Sequence, residues 1–115
     1  MEITRKDLHS GVAVIELLGS LQMGVECKRL ELAVEELIRE KRTRVVLDFS
    51  KLSKIDSGGV ARIVNCFSRV KATGGTMHFA GVTGMVDGVF KMTRVDRLVK
   101  MYPTADLAAK SFTEA

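Results

Sequence analysis

Residues 44–60 read RVVLDFSKLSKIDSGGV, and this stretch decides the fold. Arg44 to Phe49 is a short apolar run rich in β-branched residues, which is typical of a strand buried inside a sheet. We interpret Ser50 to Ile55 as a linker. Asp56-Ser57-Gly58-Gly59 then begins a helix, because Asp and Ser are preferred N-caps and apolar residues follow at helical spacing. The stretch therefore predicts a strand-to-helix unit of an α/β domain.

The residues before this unit predict a β-hairpin and a helix. The alternating stretch Ile3 to Leu8 and the apolar run Val12 to Leu17 flank the turn residues Ser10-Gly11. Gly19-Ser20 is expected to end the second strand. Apolar residues three and four apart then predict a helix of about four turns, packed on a sheet. Its apolar face comprises Cys27, Leu30, Val34, Leu37 and Ile38.

The residues after the unit predict two more strands and two more helices. The helix that starts at Asp56 closes at Gly74-Gly75, since glycine readily takes the left-handed conformation that ends helices. Thr76 to Ala80 reads as a strand, and Met85 to Phe90 lies in a third helix. The apolar fragment Leu98 to Tyr102 can add a last strand. Thr104 is the expected N-cap of a terminal helix through Phe112, with Asp106 in its first turn.

The predicted order of elements is β-β-α-β-α-β-α-(β)-α. Strands that alternate with helices after an initial hairpin predict a mixed sheet with right-handed crossovers. No internal repeat and no linker between domains divides the chain. We therefore predict one α/β domain over residues 1–115, with a four- to five-stranded sheet and about four helices packed against it.

The composition fits a globular domain and excludes several other classes. The 115 residues are 46% apolar and 28% charged, which is enough apolar surface for folding and argues against disorder. The apolar runs end at Glu16 and Asp48, far short of the roughly 20 residues that a membrane span requires. Four of the first seven residues are charged, at a place where a signal peptide needs an apolar region. We expect a cytoplasmic protein.

The cysteines, histidines and methionines show no pattern typical of a metal site or a disulfide framework. Cys27 and Cys66 lie far apart within apolar helical patterns, so both thiols are expected to be buried. His9 and His78 have no partner at metal-ligand spacing. Four methionines lie within apolar periodicities, so we expect them to fill the core: Met77, Met85, Met92 and Met101.

Charge is unevenly distributed between the two halves of the chain. Residues 1–50 carry eight Lys/Arg and nine Asp/Glu, whereas residues 51–115 carry ten and five, so the second half has a net charge of +5. A basic half can attract nucleic acid or an acidic protein. No run of consecutive basic residues or RNA-binding aromatic motif accompanies it, which favours an ordinary solvated surface.

The turn at Asp56-Ser57 is the most suggestive site, and two interpretations of it stay open. Backbone N–H groups and the helix dipole at a helix N-terminus favour an anion, so a phosphate could bind there or be attached to Ser57. Alternatively, Asp56 or Ser57 is only the N-cap. Serine catalysis is disfavoured because nothing places His9 or His78 near Ser57 and the G-x-S-x-G motif is absent. A nucleotide site is disfavoured because there is no G-x-x-x-x-G-K-[ST].

The order of elements and the segment Ile55-Asp56-Ser57-Gly58-Gly59-Val60 at a helix start resemble the STAS domain family, in particular the free-standing bacterial anti-sigma factor antagonists. The similarity extends to Gly19-Ser20-Leu21 after the second strand and to the Gly74-Gly75 turn. The Asp-Ser turn is its specific part; the rest is order and pattern.

The resemblance implies a function in partner switching. In the family, the serine after the aspartate is phosphorylated by a kinase that is also the anti-sigma factor, and a phosphatase removes the phosphate; by position this serine is Ser57. The unphosphorylated protein would bind the anti-sigma factor and release the sigma factor. ATP and Mg²⁺ would belong to the kinase, which implies no cofactor, no catalytic activity and no direct nucleic-acid binding for this chain. The implied partner-binding residues are Gln22, Met23, Asp56, Ser57, Gly58 and Gly59.

Two departures from the family pattern stand out. Many relatives carry a second hydroxyl residue after the phosphoacceptor, where this chain has Gly58, so Ser57 is the one acceptor in the turn. Gln22 stands where relatives often have an acidic residue. The open alternatives are a non-switching scaffold or a subunit of a stressosome or lipid-transport complex, with Ser57 only a cap, and a small-ligand or nucleotide site at the helix N-terminus. Monomer and homodimer both stay open.

Overall fold

The structure is a computed structural model that describes residues 2–8, 10–22 and 25–112, with the side chains of residues 25–27 excluded. Its elements alternate between strands and helices along most of the chain. They are β1 (Glu2–Asp7), β2 (Ala13–Leu21), α1 (Val25–Arg39), β3 (Arg44–Ile55), α2 (Ser57–Ala72), β4 (Thr76–Ala80), α3 (Gly84–Met92), a 3-10 turn (Val95–Arg97), β5 (Met101–Tyr102) and α4 (Ala105–Lys110).

The five strands form one mixed sheet in which spatial order follows chain order. β1 pairs antiparallel with β2, which confirms the predicted hairpin, and the other neighbouring strands pair in parallel. Gly11 in the hairpin turn has a positive φ of 82°, a conformation that glycine adopts without strain. The predicted mixed sheet with helices packed against it is confirmed.

Helices cover both faces of the sheet and build two apolar cores. The larger core joins alternate residues of the central strands to α1, α2 and α3. Phe49 of β3 lies at its centre, with its ring centroid 4.9 Å from that of Phe79 and 5.3 Å from that of Phe90. The smaller core lies on the opposite face, where Val14 and Val46 of the strands pack against Ala108 and Ala109 of α4. Side chains alternate between the two faces because successive strand residues point in opposite directions.

Two predicted strand boundaries are wrong, and strand pairing explains both. Residues 50–55 are not a linker: β3 continues to Ile55, where it pairs with Leu21. Gly19-Ser20 does not end β2, which runs on to Leu21 through register irregularities at Gly19 and before Leu18. Each segment supplies the other's hydrogen-bond partners, and the Ser53 hydroxyl also donates to the Gly19 carbonyl over 2.9 Å. The sequence of either segment taken alone does not indicate that it is paired.

The methionine prediction is correct at Met77, which is 1% exposed, and wrong at two positions of α3. Met85 is 55% exposed and Met92 is 83% exposed, because α3 turns Val86 and Phe90 to the core instead. Met101 is half-buried.

The C-terminal predictions hold in outline and differ at their boundaries. The apolar fragment from Leu98 yields a strand of only two residues, Met101–Tyr102. Thr104 caps α4, as predicted, because its Oγ1 accepts a hydrogen bond from the Leu107 N–H over 3.2 Å. The helix ends at Lys110, short of the predicted Phe112.

Candidate functional site

Two parallel strands end side by side at the candidate site. Leu21, the last residue of β2, pairs with Ile55, the last residue of β3. The Asp56 N–H then donates to the Leu21 carbonyl over 3.3 Å. The segments that follow the two strands therefore begin close to each other in space. Gln22 follows β2, and Asp56-Ser57 follows β3. This brings together Gln22 and the Asp-Ser turn, which lie far apart in the sequence. Met23 lies outside the described residues.

Asp56, and not Ser57, is the N-cap of α2. Asp56 has extended backbone angles, and its Oδ1 accepts a hydrogen bond from the Gly59 N–H over 2.8 Å. Its carbonyl accepts the first helical hydrogen bond, from the Val60 N–H, over 3.0 Å. The capping interpretation of the turn is thus confirmed for Asp56 and wrong for Ser57.

Ser57 is the first residue of α2, and its side chain is exposed. Within the described ranges, no side chain or backbone group hydrogen-bonds its hydroxyl. Since Asp56 already satisfies the helix terminus, the hydroxyl of Ser57 has no structural task there. It is accessible for chemistry without disruption of the fold.

Gly58 and Gly59 are buried beneath the turn. A Cβ on Gly59 would lie 2.4 Å from the carbonyl oxygen of Leu21 and 3.0 Å from a side-chain carbon of Ile55. Only a residue without a side chain permits this approach of α2 to the end of β2. Gly59 therefore holds the Asp-Ser turn against the strand ends, and neither glycine offers a side chain to a partner.

The electrostatics of the turn favour an added anion. α2 has 16 residues and no acidic residue in its first turn, so Asp56 is the acidic residue that the cap and first turn of α2 place at the positive end of its dipole. Lys54, three residues before Ser57, is exposed and forms no ion pair with the described residues. Two other basic residues, on β3 and α2, form ion pairs: Lys51 with Glu16 at 3.5 Å and Arg62 with Glu31 at 2.6 Å. Lys54 was not predicted as part of the site, because its one signal in the sequence is a basic side chain three residues before the serine.

His78 cannot act as a base for Ser57. It lies on β4 with its side chain toward α4, on the sheet face opposite α2, and its Nδ1 is 2.9 Å from the Ser111 hydroxyl. Burial, and secondarily the charge of Lys100, lower the pKa of this imidazole. His9 lies outside the described residues. The geometry therefore provides no histidine-activated serine in the part of the chain that is described.

The thiol prediction is confirmed at Cys66, which is fully buried in α2. Burial raises the pKa of its thiol to about 12, so the reactive thiolate is scarce at neutral pH. The side chain of Cys27 lies outside those that the structure describes. Among the described residues, no group of three or more His, Cys, Asp or Glu side chains is arranged to hold a metal ion. No described helix is both long and apolar enough to cross a bilayer.

Comparison with known proteins identifies the domain. The family model described as "STAS domain" matches residues 5–108. A Thermotoga neapolitana protein named "Putative anti-sigma factor antagonist TM1081 homolog" is 27% identical over 93 residues, which are 79% of this chain and 82% of that protein.

Solved structures share the whole fold. An anti-sigma factor antagonist from Mycobacterium paratuberculosis has a TM-score of 0.86 at 20% identity, covering 98% of this chain and 94% of that one. The Bacillus cell fate determinant SpoIIAA in its phosphorylated form has a TM-score of 0.74 at 16% identity, covering 96% and 99%. Its unphosphorylated form also has a TM-score of 0.74, at 18% identity and 97% coverage of both chains. With nearly its whole length matched by the family model, this chain belongs to the STAS domain family.

Proposed function

We propose that this protein is a cytoplasmic anti-sigma factor antagonist controlled by phosphorylation of Ser57. The unphosphorylated form binds a kinase-type anti-sigma factor and thereby releases a sigma factor. The name of the Thermotoga neapolitana relative supports this assignment, as does the likeness of the fold to antagonists of known structure. We further propose that the domain occupies all of residues 1–115.

One observation carries the proposal: the Ser57 hydroxyl is exposed at the first position of α2, while Asp56 does the capping. A phosphoacceptor must reach a kinase and must tolerate modification. An exposed hydroxyl beside an intact cap meets both conditions, whereas a hydroxyl that capped the helix would lose a structural hydrogen bond on modification.

The proposed switch acts through surface charge. A phosphate on Ser57 brings about −1.5 to −2 charges to the turn at pH 7. The positive end of the α2 dipole tolerates this charge within the domain. A partner surface that accommodates the hydroxyl would instead meet a bulky dianion. A penalty of only about 2.8 kcal/mol at that contact weakens binding about a hundredfold.

The proposed partner-binding surface surrounds Ser57 at the ends of β2 and β3. Gln22, Met23, Asp56 and Ser57 are its proposed contact residues, together with the backbone at Gly58 and Gly59. Gly59 shapes the surface by letting α2 approach β2. The basic second half of the chain, which contains the turn, suits an acidic partner surface. ATP and Mg²⁺ act in the partner kinase, and a separate phosphatase resets the switch. The protein itself is a binding protein with no cofactor of its own.

The test uses the protein, its cognate kinase-type anti-sigma factor and Mg-ATP. Mass spectrometry after incubation is expected to find one phosphate, on Ser57. Ser57→Ala should abolish the modification and retain partner binding, and Ser57→Asp should weaken binding about a hundredfold. Ser68→Ala is the matched control, because Ser68 is an exposed serine on the same helix. The Ser68→Ala variant should still be phosphorylated on Ser57 and should bind the partner like wild type.

Two outcomes would contradict the proposal. Phosphorylation at another residue and not at Ser57 would show that Ser57 is not the phosphoacceptor. Undiminished partner binding by both the phosphorylated protein and Ser57→Asp would instead support a constitutive scaffold, such as a stressosome or lipid-transport subunit. The expectation that Ser57 merely caps the helix in such a scaffold is already wrong, since Asp56 is the cap.

A further inference from the structure

A cleft opens beside β4 because β5 is too short to cover it. β5 pairs only with Phe79 and Ala80, which leaves the first half of β4 without a neighbour on that side. The chain from Leu98 to Lys100 approaches β4 from one direction, and the C-terminal half of α2 overhangs from the other. The space between them has a volume of about 250 Å³.

A backbone donor points into this cleft. The Thr76 N–H donates to Thr43 on the β3 side, whereas the Phe79 N–H donates to Lys100 on the β5 side. Because strand residues alternate with period two, the Met77 N–H points the same way as that of Phe79. β5 provides no partner opposite Met77, since pairing ends at Phe79. Met77 lines the cleft but is only 1% exposed, so this N–H lies at the cleft floor with little open surface.

The side chains around the cleft divide into an apolar wall and a basic rim. Phe67, Met77, Leu98 and Val99 line it with apolar surface, and Lys71 and Lys100 stand at its mouth. None of the described residues that line it is acidic. Neither lysine forms an ion pair with a described residue, and the Lys71 ammonium lies 5.6 Å from the centroid of the Phe67 ring. The cleft therefore combines two lysines that have no counterion among the described residues, an apolar wall, and a backbone N–H for which no hydrogen-bond partner is described.

We propose that this cleft is a binding site for a small organic carboxylate with an aromatic or branched apolar body. The body packs on the wall formed by Phe67, Leu98 and Val99. The carboxylate accepts a hydrogen bond from the Met77 N–H and pairs with Lys71 and Lys100, which are the donor types that carboxylates prefer. The volume lies just below the range of roughly 300–1,000 Å³ of drug-sized ligand sites, so the ligand is small.

The site is separate from the Ser57 turn. Phe67 and Lys71 follow Ser57 by ten and fourteen residues along α2, which corresponds to roughly 15–21 Å at about 1.5 Å per residue. A ligand in the cleft therefore does not touch the turn, and the inference goes beyond the proposed switch. Ser57→Ala is expected to bind the ligand like wild type, so failure of either proposal leaves the other standing.

The test is a titration of the ¹⁵N-labelled protein with phenylacetate, in which binding is monitored through the amide chemical shifts. We expect saturable shifts of the Met77 and Val99 amides with a dissociation constant of about 1 mM or tighter. Phenylacetamide, which lacks the charge, and acetate, which lacks the apolar body, should each bind at least about tenfold more weakly. The double variant Lys71→Gln/Lys100→Gln should also weaken phenylacetate binding about tenfold.

Lys28→Gln is the matched control, because Lys28 is an exposed lysine on α1, away from the cleft, and its removal should leave phenylacetate binding unchanged. Leu98→Glu, at a side chain that is 48% exposed, should abolish binding without unfolding the domain, since it introduces a competing carboxylate. No saturable shift at Met77 with phenylacetate overturns the proposal. So does binding of an acidic extended peptide along Thr76 to Phe79 in place of phenylacetate, which would identify a strand-addition site.

Discussion

Asp56 and Ser57 are adjacent residues with separate tasks at the start of α2. Asp56 accepts the Gly59 N–H and stabilises the helix terminus, while Ser57 leaves its hydroxyl exposed. A phosphate on Ser57, as proposed, would therefore leave the cap of α2 in place. It would replace no hydrogen bond between the residues that the structure describes.

Asp56→Ala should lower the free energy of unfolding by about 1 kcal/mol, because it leaves the Gly59 N–H without its cap. Ser57→Ala should change it by less than about 0.5 kcal/mol, as at other exposed sites without a contact. Urea denaturation of both variants and wild type measures the difference. A cost for Ser57→Ala equal to that for Asp56→Ala would mean that the hydroxyl has a structural role after all.

Gly59 and Gly88 offer a second comparison at single residues, since both lie within helices and differ in surroundings. Gly59→Ala should cost about 1–3 kcal/mol because its Cβ would lie 2.4 Å from the Leu21 carbonyl oxygen and force α2 away from β2. Gly88→Ala in α3 should stabilise the protein by about 0.5–1 kcal/mol, since beyond its chain neighbours and the backbone of its own helix no atom lies within 4 Å of its Cβ position. Chemical denaturation tests both. A neutral Gly59→Ala would contradict the close approach of helix and strand.

At the scale of elements, α4 is docked on the sheet through a buried histidine. The His78 ring stacks on Phe112 with 4.3 Å between ring centroids, and its Nδ1 lies 2.9 Å from the Ser111 hydroxyl. That hydroxyl donates to the Ala108 carbonyl over 2.6 Å, so Nδ1–H is the donor to Ser111 Oγ. The neutral imidazole therefore links β4 to the end of α4.

This docking should weaken in mild acid. Burial and the charge of Lys100 lower the pKa of His78 in the folded protein, so the unfolded chain takes up the proton first, near its ordinary value of about 6.5. The contribution of His78 to stability is therefore complete above that pH and falls as pH decreases toward the folded pKa. Urea midpoints measured between about pH 7.5 and 5.5 should drop for wild type.

His78→Gln is the control for this pH dependence, since glutamine can donate to Ser111 but does not titrate. Its urea midpoint should change less over the same interval than that of wild type. Hydrogen exchange should show that the amides of α4 lose protection before those of α2. An equal pH dependence in wild type and His78→Gln would assign the effect to other groups.

Local signals predicted most elements, and pairing between distant segments decided the others. The helical spacing of Leu30, Val34 and Leu37 predicted α1, and the Asp-Ser turn marked the start of α2. The segment 50–55 carries two serines and two lysines and resembles a linker. It is a strand because β2 lies beside it as far as Leu21, a contact between residues about 34 positions apart.

At the scale of the whole molecule, the domain is expected to keep its fold when Ser57 is modified. Phosphate would reduce the net charge of +4 to about +2. It would sit at the N-terminus of a 16-residue helix, where a negative charge stabilises by about 0.3–1 kcal/mol. The melting temperature of the phosphorylated protein, followed by far-ultraviolet circular dichroism, should therefore lie within about 5 °C of the unmodified value.

A lowered melting temperature or a loss of helical signal on phosphorylation would contradict this rigid-switch picture. It would indicate that the domain transmits the modification by local unfolding. Chemical shift changes confined to the turn and the adjoining end of β2 would support transmission through the surface alone. The cleft beside β4, at the other end of α2, should then show no change.

The sequence by itself determined the hairpin, the positions of the helices and the Asp56-Ser57 start of α2, because caps, turn glycines and helical periodicity act within a few residues. It also singled out Ser57 as the candidate acceptor. Only the tertiary structure decided that β3 runs to Ile55, that Asp56 and not Ser57 caps the helix, and that Met85 and Met92 face outward. Those outcomes depend on strand pairing and on which helix face meets the sheet. Such contacts join residues that are distant in sequence, so no local pattern records them.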